Sequence, residues 1–175
     1  MKYDVVIIGG GASGLCTSIL IKRNKPEFSV AIIEAQNRVA KKLLTTGNGR
    51  CNITNRYLNI RAYHGTNAEF CRFALTKYDF NFTVDFFESI GIPLTEGENG
   101  KMFPYSLQAA SVVDALRLEA IEYGVDIFLG EPVKSISKNG RGYVINTNEK
   151  QFNSKNIVIA AGGIVGGNAL ILDKN

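Results

Sequence analysis

Residues 9–15 read Gly-Gly-Gly-Ala-Ser-Gly-Leu. An apolar run from Tyr3 to Ile8 leads into them, and an apolar-periodic stretch from Leu15 to Ile21 follows. The pattern predicts a strand over about residues 3–8 and a helix from about Ser13 to Arg23, stopped by Asn24 and Pro26. A second apolar run, over about residues 29–34, ends on Glu34, twenty residues beyond Gly14. Strand, glycine turn, helix, strand and acid follow in the order a dinucleotide site requires. Each glycine has its own task. Gly9 lets the chain turn sharply off the strand, Gly11 leaves the backbone open to a pyrophosphate, and Gly14 lets the helix pack closely on the strand. The helix N-terminus offers free N–H groups and partial positive charge to the phosphates. Glu34 can accept hydrogen bonds from both hydroxyls of an adenosine ribose, and it repels a 2′-phosphate. FAD or NAD(H) therefore fits better than NADP(H).

The composition is compatible with this reading. A chain of 175 residues fits one domain or a little more, and 45% hydrophobic residues can build a core. No apolar run approaches the roughly 20 residues of a membrane span. The chain passes from Met1-Lys2 directly into a strand, so no secretory signal is expected. Cys16, Cys51 and Cys71 are widely spaced, and His64 is the single histidine, so no zinc site is expected. Cys16 and Cys71 read as small packing residues on helices, and a reducing, cytoplasmic setting suits the set. The net charge of +4 hides an asymmetry: residues 22–61 carry nine Lys or Arg against Glu27 and Glu34, whereas residues 62–131 carry four basic and eleven acidic side chains. The basic stretch can help neutralise a pyrophosphate. No basic-aromatic interleaving or recognition motif points to nucleic acid, and nothing points to a membrane.

Beyond the second strand, residues 36–66 show neither helical nor strand periodicity, and a loop of that length inside a domain is usually functional. Helices are predicted over about 67–77 and 81–90, with Phe70, Phe73, Ala74 and Tyr78 on one and Phe82, Phe86, Phe87 and Ile90 on the other. These phenylalanines read as core. A short β excursion at 94–105 turns at Glu98-Asn99-Gly100, and an amphipathic helix over 109–123 buries Ala109, Val112, Val113, Leu116, Ala120 and Tyr123, with Gly124 as its C-cap. A short strand at 125–129 precedes a three-stranded antiparallel meander at Glu131–Ser137, Gly142–Thr147 and about 151–153, with Asn139-Gly140 as its first turn. A separate buried strand, Asn156–Ala160, ends in Ala161-Gly162-Gly163. The predicted fold class is α/β: a Rossmann-like, glutathione-reductase-type FAD domain with a parallel sheet and a three-stranded meander. It is expected over residues 1–163, with the excursion at about 67–105, followed by a tail or truncated further segment at 164–175. A plain NAD domain would continue with βα units instead.

A second motif lies at residues 38–55, Arg-Val-Ala-Lys-Lys-Leu-Leu-Thr-Thr-Gly-Asn-Gly-Arg-Cys-Asn-Ile-Thr-Asn. From Thr45 to Asn55 it is a chain of hydroxyls, amides and glycines around one guanidinium. Gly47 and Gly49 permit close backbone approach and positive φ. Arg50 is a planar donor suited to phosphate or to an anionic flavin ring. By its chemistry alone the stretch reads equally well as a ligand loop and as a turn-rich surface loop.

Together, Gly9–Leu15, Ile32–Ala35, Arg38–Asn55, Phe103–Leu116 and Ala160–Gly163 resemble the bacterial flavoproteins of the HI0933-like, BaiN-like or aminoacetone oxidase family. The resemblance touches nearly the whole chain. It implies an FAD-dependent oxidoreductase with an unidentified small-molecule substrate and NAD(P)H as a possible electron donor. It implies that Gly9, Gly11, Ala12, Ser13 and Gly14 form the pyrophosphate turn and that Glu34 and Ala35 meet the adenosine ribose. Arg38, Lys42, Gly49, Arg50, Cys51 and Asn52 belong to the loop along the pyrophosphate and flavin. Val133 holds the position whose backbone meets adenine, and Ala160, Ala161 and Gly162 lie beside the adenosine. Family members are more than twice as long, so the chain reads as an N-terminal portion. It departs from the family in having Lys101-Met102 before Phe103-Pro104, where Arg is common, and in its stretch after Gly163.

A flavin carries its own redox chemistry, so no triad or metal cluster is needed. Arg50, stabilising negative charge on reduced flavin, and Cys51, as a thiol, are the candidate catalytic groups. Packing or backbone positioning is an equal role for Cys51, and His64, Tyr105 and Ser106 have no assigned part. The alternatives are an FAD-binding fragment without turnover and an NAD(H)-binding Rossmann protein.

Overall fold

A computed structural model describes residues 1–163. The expected tail at 164–175 lies outside the described residues. Along the chain run β1 (Lys2–Ile8), α1 (Ala12–Asn24), β2 (Val30–Ile33), β3 (Thr54–Asn55), α2 (Arg72–Lys77), α3 (Phe80–Ser89), β4 (Leu94–Glu96), β5 (Lys101–Pro104), α4 (Ala109–Glu122), β6 (Asp126–Phe128), β7 (Ser135–Asn139), β8 (Gly142–Asn146) and β9 (Gln151–Ile159). The chain divides into two compact units, Leu43–Ala115 and the remainder, with the division falling inside α4.

The first unit is built on a six-stranded sheet of order β6-β2-β1-β9-β8-β7. β6, β2, β1 and β9 are parallel, and β7, β8 and β9 form the antiparallel meander. Val5–Ile8 of β1 and all of β2 are continuous apolar runs because both of their faces are covered. Alternate side chains serve the two faces. Val6, Ile8, Ala31, Ile33, Ile145 and Phe152 form a buried cluster, edged by Tyr3, Phe128, Val133 and Ile136. Phe128 and Phe152 meet edge-on at 4.9 Å. On the opposite face Ile7 and Ile32 are fully buried, as are Leu15 and Ile19 of α1. Arg23 of α1 pairs with Glu119 of α4 at 2.8 Å.

The third meander strand and the return strand, expected to be separate, are one nine-residue strand, β9. Its first residues pair with β8 (Gln151↔Asn146 to Ser154↔Tyr143) and its length from Asn153 onward pairs with β1. Both ladders cover Asn153 and Ser154, so the polar run that looks like a turn has no reason to leave the sheet. The first meander strand starts at Ser135 rather than Glu131.

In the second unit β3, β5 and β4 form a small antiparallel sheet of that order. Its turn has Asn99 and Gly100 at φ 57° and 72°. The helix expected at 67–77 is a 3₁₀ turn, Ala68–Cys71, followed by six residues of α2. Phe86 and Phe87 are buried, as expected, but Phe70 and Phe73 are 86% and 74% exposed. Helical spacing gathers apolar side chains on one face, but a helix of under two turns covers little of that face itself. Tyr123, expected on the buried face of α4, is also exposed.

Candidate dinucleotide-binding site

The strand registers decide where the site lies. Ile8 pairs with Ile33 and with Ile159, and Ile33 pairs with Phe128, so four parallel strands end at one level. Ligands of open α/β sheets bind outside the carboxyl ends of such strands. Gly9, Glu34, Leu129 and Ala160 are the next residues in each case.

The glycines are distinguished by what surrounds them. Gly9 has φ 107°, and a Cβ there would lie 2.4 Å from the Ala160 carbonyl oxygen. A Cβ on Gly14 would lie 2.0 Å from the Gly9 carbonyl oxygen. Both are excluded by backbone, so the turn is closed by the absence of side chains. Gly11 differs: a Cβ there would have no atom within 4 Å. Nothing in the protein's own packing requires glycine at that position. Gly11 also caps α1 without a side-chain hydrogen bond, leaving the first N–H groups of the helix to an outside acceptor.

Glu34 is half-buried beside this turn. Its Oε2 accepts from the Gly10 N–H at 2.7 Å, and its Oε1 accepts from the Gln36 N–H at 2.8 Å. A carboxylate has about four acceptor positions, so lone pairs remain for two ribose hydroxyls. The Glu34 carbonyl accepts from the Glu131 N–H at 2.9 Å, which draws the Val133 segment alongside. Val133 itself is half-buried against the sheet cluster.

The start of the 36–66 loop folds back on the turn. Ala40, with φ 50°, donates its N–H to the Gly10 carbonyl at 2.8 Å. Val39 is buried with a methyl where a Gly10 Cβ would sit 3.0 Å away. The Lys42 ammonium lies 3.5 Å from where a Gly162 Cβ would sit, and Gly162 has φ 82°. Arg38, Ala35 and Ser13 are exposed, and Ala12 is half-buried. The predicted residues of the first unit are thus brought to one edge. Gly10, Val39 and Ala40 were missed in sequence; the triple glycine and the apolar pair inside a polar loop were their only signals.

Gly49, Arg50, Cys51 and Asn52 belong to the second unit. Their loop is tightly wound, with positive φ at Gly47, Asn48, Gly49 and Cys51. Non-glycine residues in that region cost about 1–2 kcal/mol each, so such a conformation is held by its surroundings. Cys51 N–H donates to the Thr46 carbonyl at 3.0 Å, and Ile53 N–H to the Met102 carbonyl at 2.8 Å. With its nitrogen facing them, the Asn52 amide reaches the carbonyls of Thr54 (3.0 Å) and Met102 (3.3 Å). The Cys51 side chain is buried, and burial pushes its thiol up, away from a ready thiolate. Arg50 is exposed, with its guanidinium 4.6 Å from the centre of the Phe103 ring. Among the described residues no three His, Cys, Asp or Glu side chains are grouped to hold a metal ion, and no helix is long and apolar enough to cross a membrane.

A parallel sheet with a glycine turn, an open Gly11 and an acid at the next strand end defines a Rossmann-type dinucleotide-binding domain. The HI0933-like protein Rossmann domain matches residues 3–168, and the chain belongs to that family. It is 38% identical over 157 residues to the 3-dehydro-bile acid delta(4,6)-reductase of Clostridium scindens, covering 90% of this chain and 38% of that protein. It is 32% identical over 166 residues to the ribosomal RNA dihydrouridine synthase of Escherichia coli K12, covering 93% and 40% respectively. The chain therefore spans about two fifths of the length of these curated relatives. Among solved structures, Thermovibrio ammonificans THI4 shares the fold with a TM-score of 0.63 at 16% identity, covering 92% of this chain and 58% of that one.

Proposed function

We propose that this chain is the FAD-binding part of an FAD-dependent oxidoreductase acting on a small organic molecule. The observation that carries it is the contrast within the turn: Gly9 and Gly14 are closed by backbone, while Gly11 faces open space at the end of an uncapped helix. That is a cradle a side chain would fill, and a pyrophosphate fits it. Glu34 takes the ribose hydroxyls, and Arg38 and Lys42 offset the phosphate charge. Val133 and Ala160–Gly162 flank the adenosine, Ala12 and Ser13 supply helix N–H groups, and Ala35 follows the acid. Gly49, Arg50, Cys51 and Asn52 are assigned to the flavin end by family resemblance. Arg50 is a cation held against Gly47 and Phe103, and Cys51 serves as a neutral, packed thiol rather than a nucleophile.

Bound FAD supplies the redox chemistry of the site, taking up or delivering hydride. The protein binds, orients and neutralises. NAD(P)H is the proposed electron donor, and a reducing cytoplasm suits the three free cysteines. The names of the two relatives, a reductase and a dihydrouridine synthase, agree with redox work on organic substrates. Because the chain spans about two fifths of their length, cofactor binding is assigned to it and turnover to the whole protein. The test is reconstitution. Added FAD should co-elute with the chain, and its colour should bleach on addition of dithionite. A chain that ignores FAD, or takes NAD(H) in preference, ends the proposal.

A further inference from the structure

The second unit holds a cavity of about 520 Å³ lined by Arg50, Thr95, Glu96, Gly97, Glu98, Lys101, Phe103 and Leu107. That volume suits a small organic ligand, for which sites of roughly 300–1,000 Å³ are usual.

Arg50 is set in place on two sides. Its Nε donates to the Gly47 carbonyl at 3.2 Å, and its guanidinium rests on the Phe103 ring. The ring is itself fixed: a Cβ on Gly97 would lie 2.9 Å from it, and one on Gly47 3.2 Å. The terminal nitrogens of Arg50 then form a pre-set fork, the geometry that binds a carboxylate through paired bonds. Lys101 is a second cation in the lining, on the exposed first residue of β5. Of the two acids, Glu96 is paired with Arg56 at 2.5 Å. Arg50 and Lys101 thus face Glu98 alone, leaving one net positive charge. Leu107, 47% exposed and held at φ 52°, adds an apolar wall.

We propose that this cavity binds a small organic monoanion, its carboxylate on Arg50 and Lys101 and its apolar body against Leu107. One net positive charge complements a monocarboxylate, and Glu98 in the lining disfavours a phosphate dianion or a nucleic-acid backbone. That the monoanion is the substrate rests on the oxidoreductase reading above; the cavity itself is a feature of the second unit alone.

The test is a ¹⁵N NMR titration of the chain with trans-cinnamate and with neutral cinnamamide. Cinnamate should shift the signals of Arg50, Lys101 and Leu107, and the amide should bind about tenfold more weakly or less. Lys101→Met should weaken cinnamate about tenfold and leave the amide unchanged, since Lys101 is exposed and its removal spares the fold. Equal binding of acid and amide, an unaltered cinnamate affinity in Lys101→Met, shifts confined to other residues, or no binding at millimolar cinnamate would each overturn the proposal. Repeating the titration with FAD present keeps the two readings apart. Cinnamate binding by a chain that takes no FAD sustains the cavity and removes the cofactor; FAD uptake without cinnamate binding does the reverse.

Discussion

Gly11 and Gly14 look interchangeable in the sequence and are opposites in the structure. Gly14→Ala places a methyl against the Gly9 carbonyl and should destabilise the protein by about 3 kcal/mol, visible as a lowered urea midpoint. Gly11→Val has open space and an extended backbone, φ −75° and ψ −174°, so stability should change by less than about 1 kcal/mol. Its branched side chain should nevertheless abolish FAD uptake. A Gly11→Val protein that folds and binds FAD normally would show that no phosphate approaches there. Glu34→Gln exchanges one of two acceptor oxygens for a donor facing an N–H, and should cost about 1–3 kcal/mol of stability and about tenfold in FAD affinity. The cysteines give a third residue-scale test. Burial pushes Cys16 up to about 12, so at pH 8 roughly one thiol in ten thousand is ionised. Cys16, and Cys51 for the same reason, should resist iodoacetamide at that pH, as followed by mass spectrometry. Rapid labelling of Cys51 in the folded protein would return it to the list of nucleophiles.

At the scale of elements, what could be read from sequence was what local chemistry decides. Gly124 ends α4 at φ 73°, and the hairpin between β7 and β8 turns at Gly140, φ 58°, with Arg141, one residue beyond the expected Asn139-Gly140 pair because Asn139 still pairs with Gly142. The places of Gly9 and Gly14 in the turn and of Glu34 at the end of β2 were legible because the spacing of the strands and the glycines fixes them. What escaped depends on partners far away in the chain. Two-residue β3 exists only because β5 pairs with it. β9 is unbroken because β1 and β8 hold its middle from both sides. Gly10, Val39 and Ala40 meet through a tertiary contact that periodicity does not record. Phe70 and Phe73 have core composition without core burial, so Phe73→Ser should leave the urea midpoint within about 0.5 kcal/mol of the parent. The meander carries a different stake. Glu131 is buried, pairs with Lys150 and accepts from Thr147 Oγ1 at 2.6 Å. The Lys150 bond, then the Thr147 bond, hold its carboxyl below the ordinary glutamate range. A carboxyl lowered by folding contributes stability that is complete above the ordinary range and is lost as pH falls through its lowered value. Glu131→Gln should therefore flatten the acid limb of stability against pH in urea titrations. An unchanged acid limb would assign the acid sensitivity elsewhere.

For the whole molecule, membership of the HI0933-like family and the open cradle at the strand ends converge on one cofactor. The family resemblance was legible because the motif at residues 38–55 is long, whereas the cavity was not, since it joins side chains from separate stretches of sequence. The central claim is that the glycine turn holds the pyrophosphate of FAD. Equilibrium dialysis of the chain against FAD, run beside Gly11→Val, tests it most directly. The account predicts saturable uptake of about one FAD per chain and its loss in a Gly11→Val protein of unchanged stability. No uptake by the parent chain, or equal uptake by both, would contradict it.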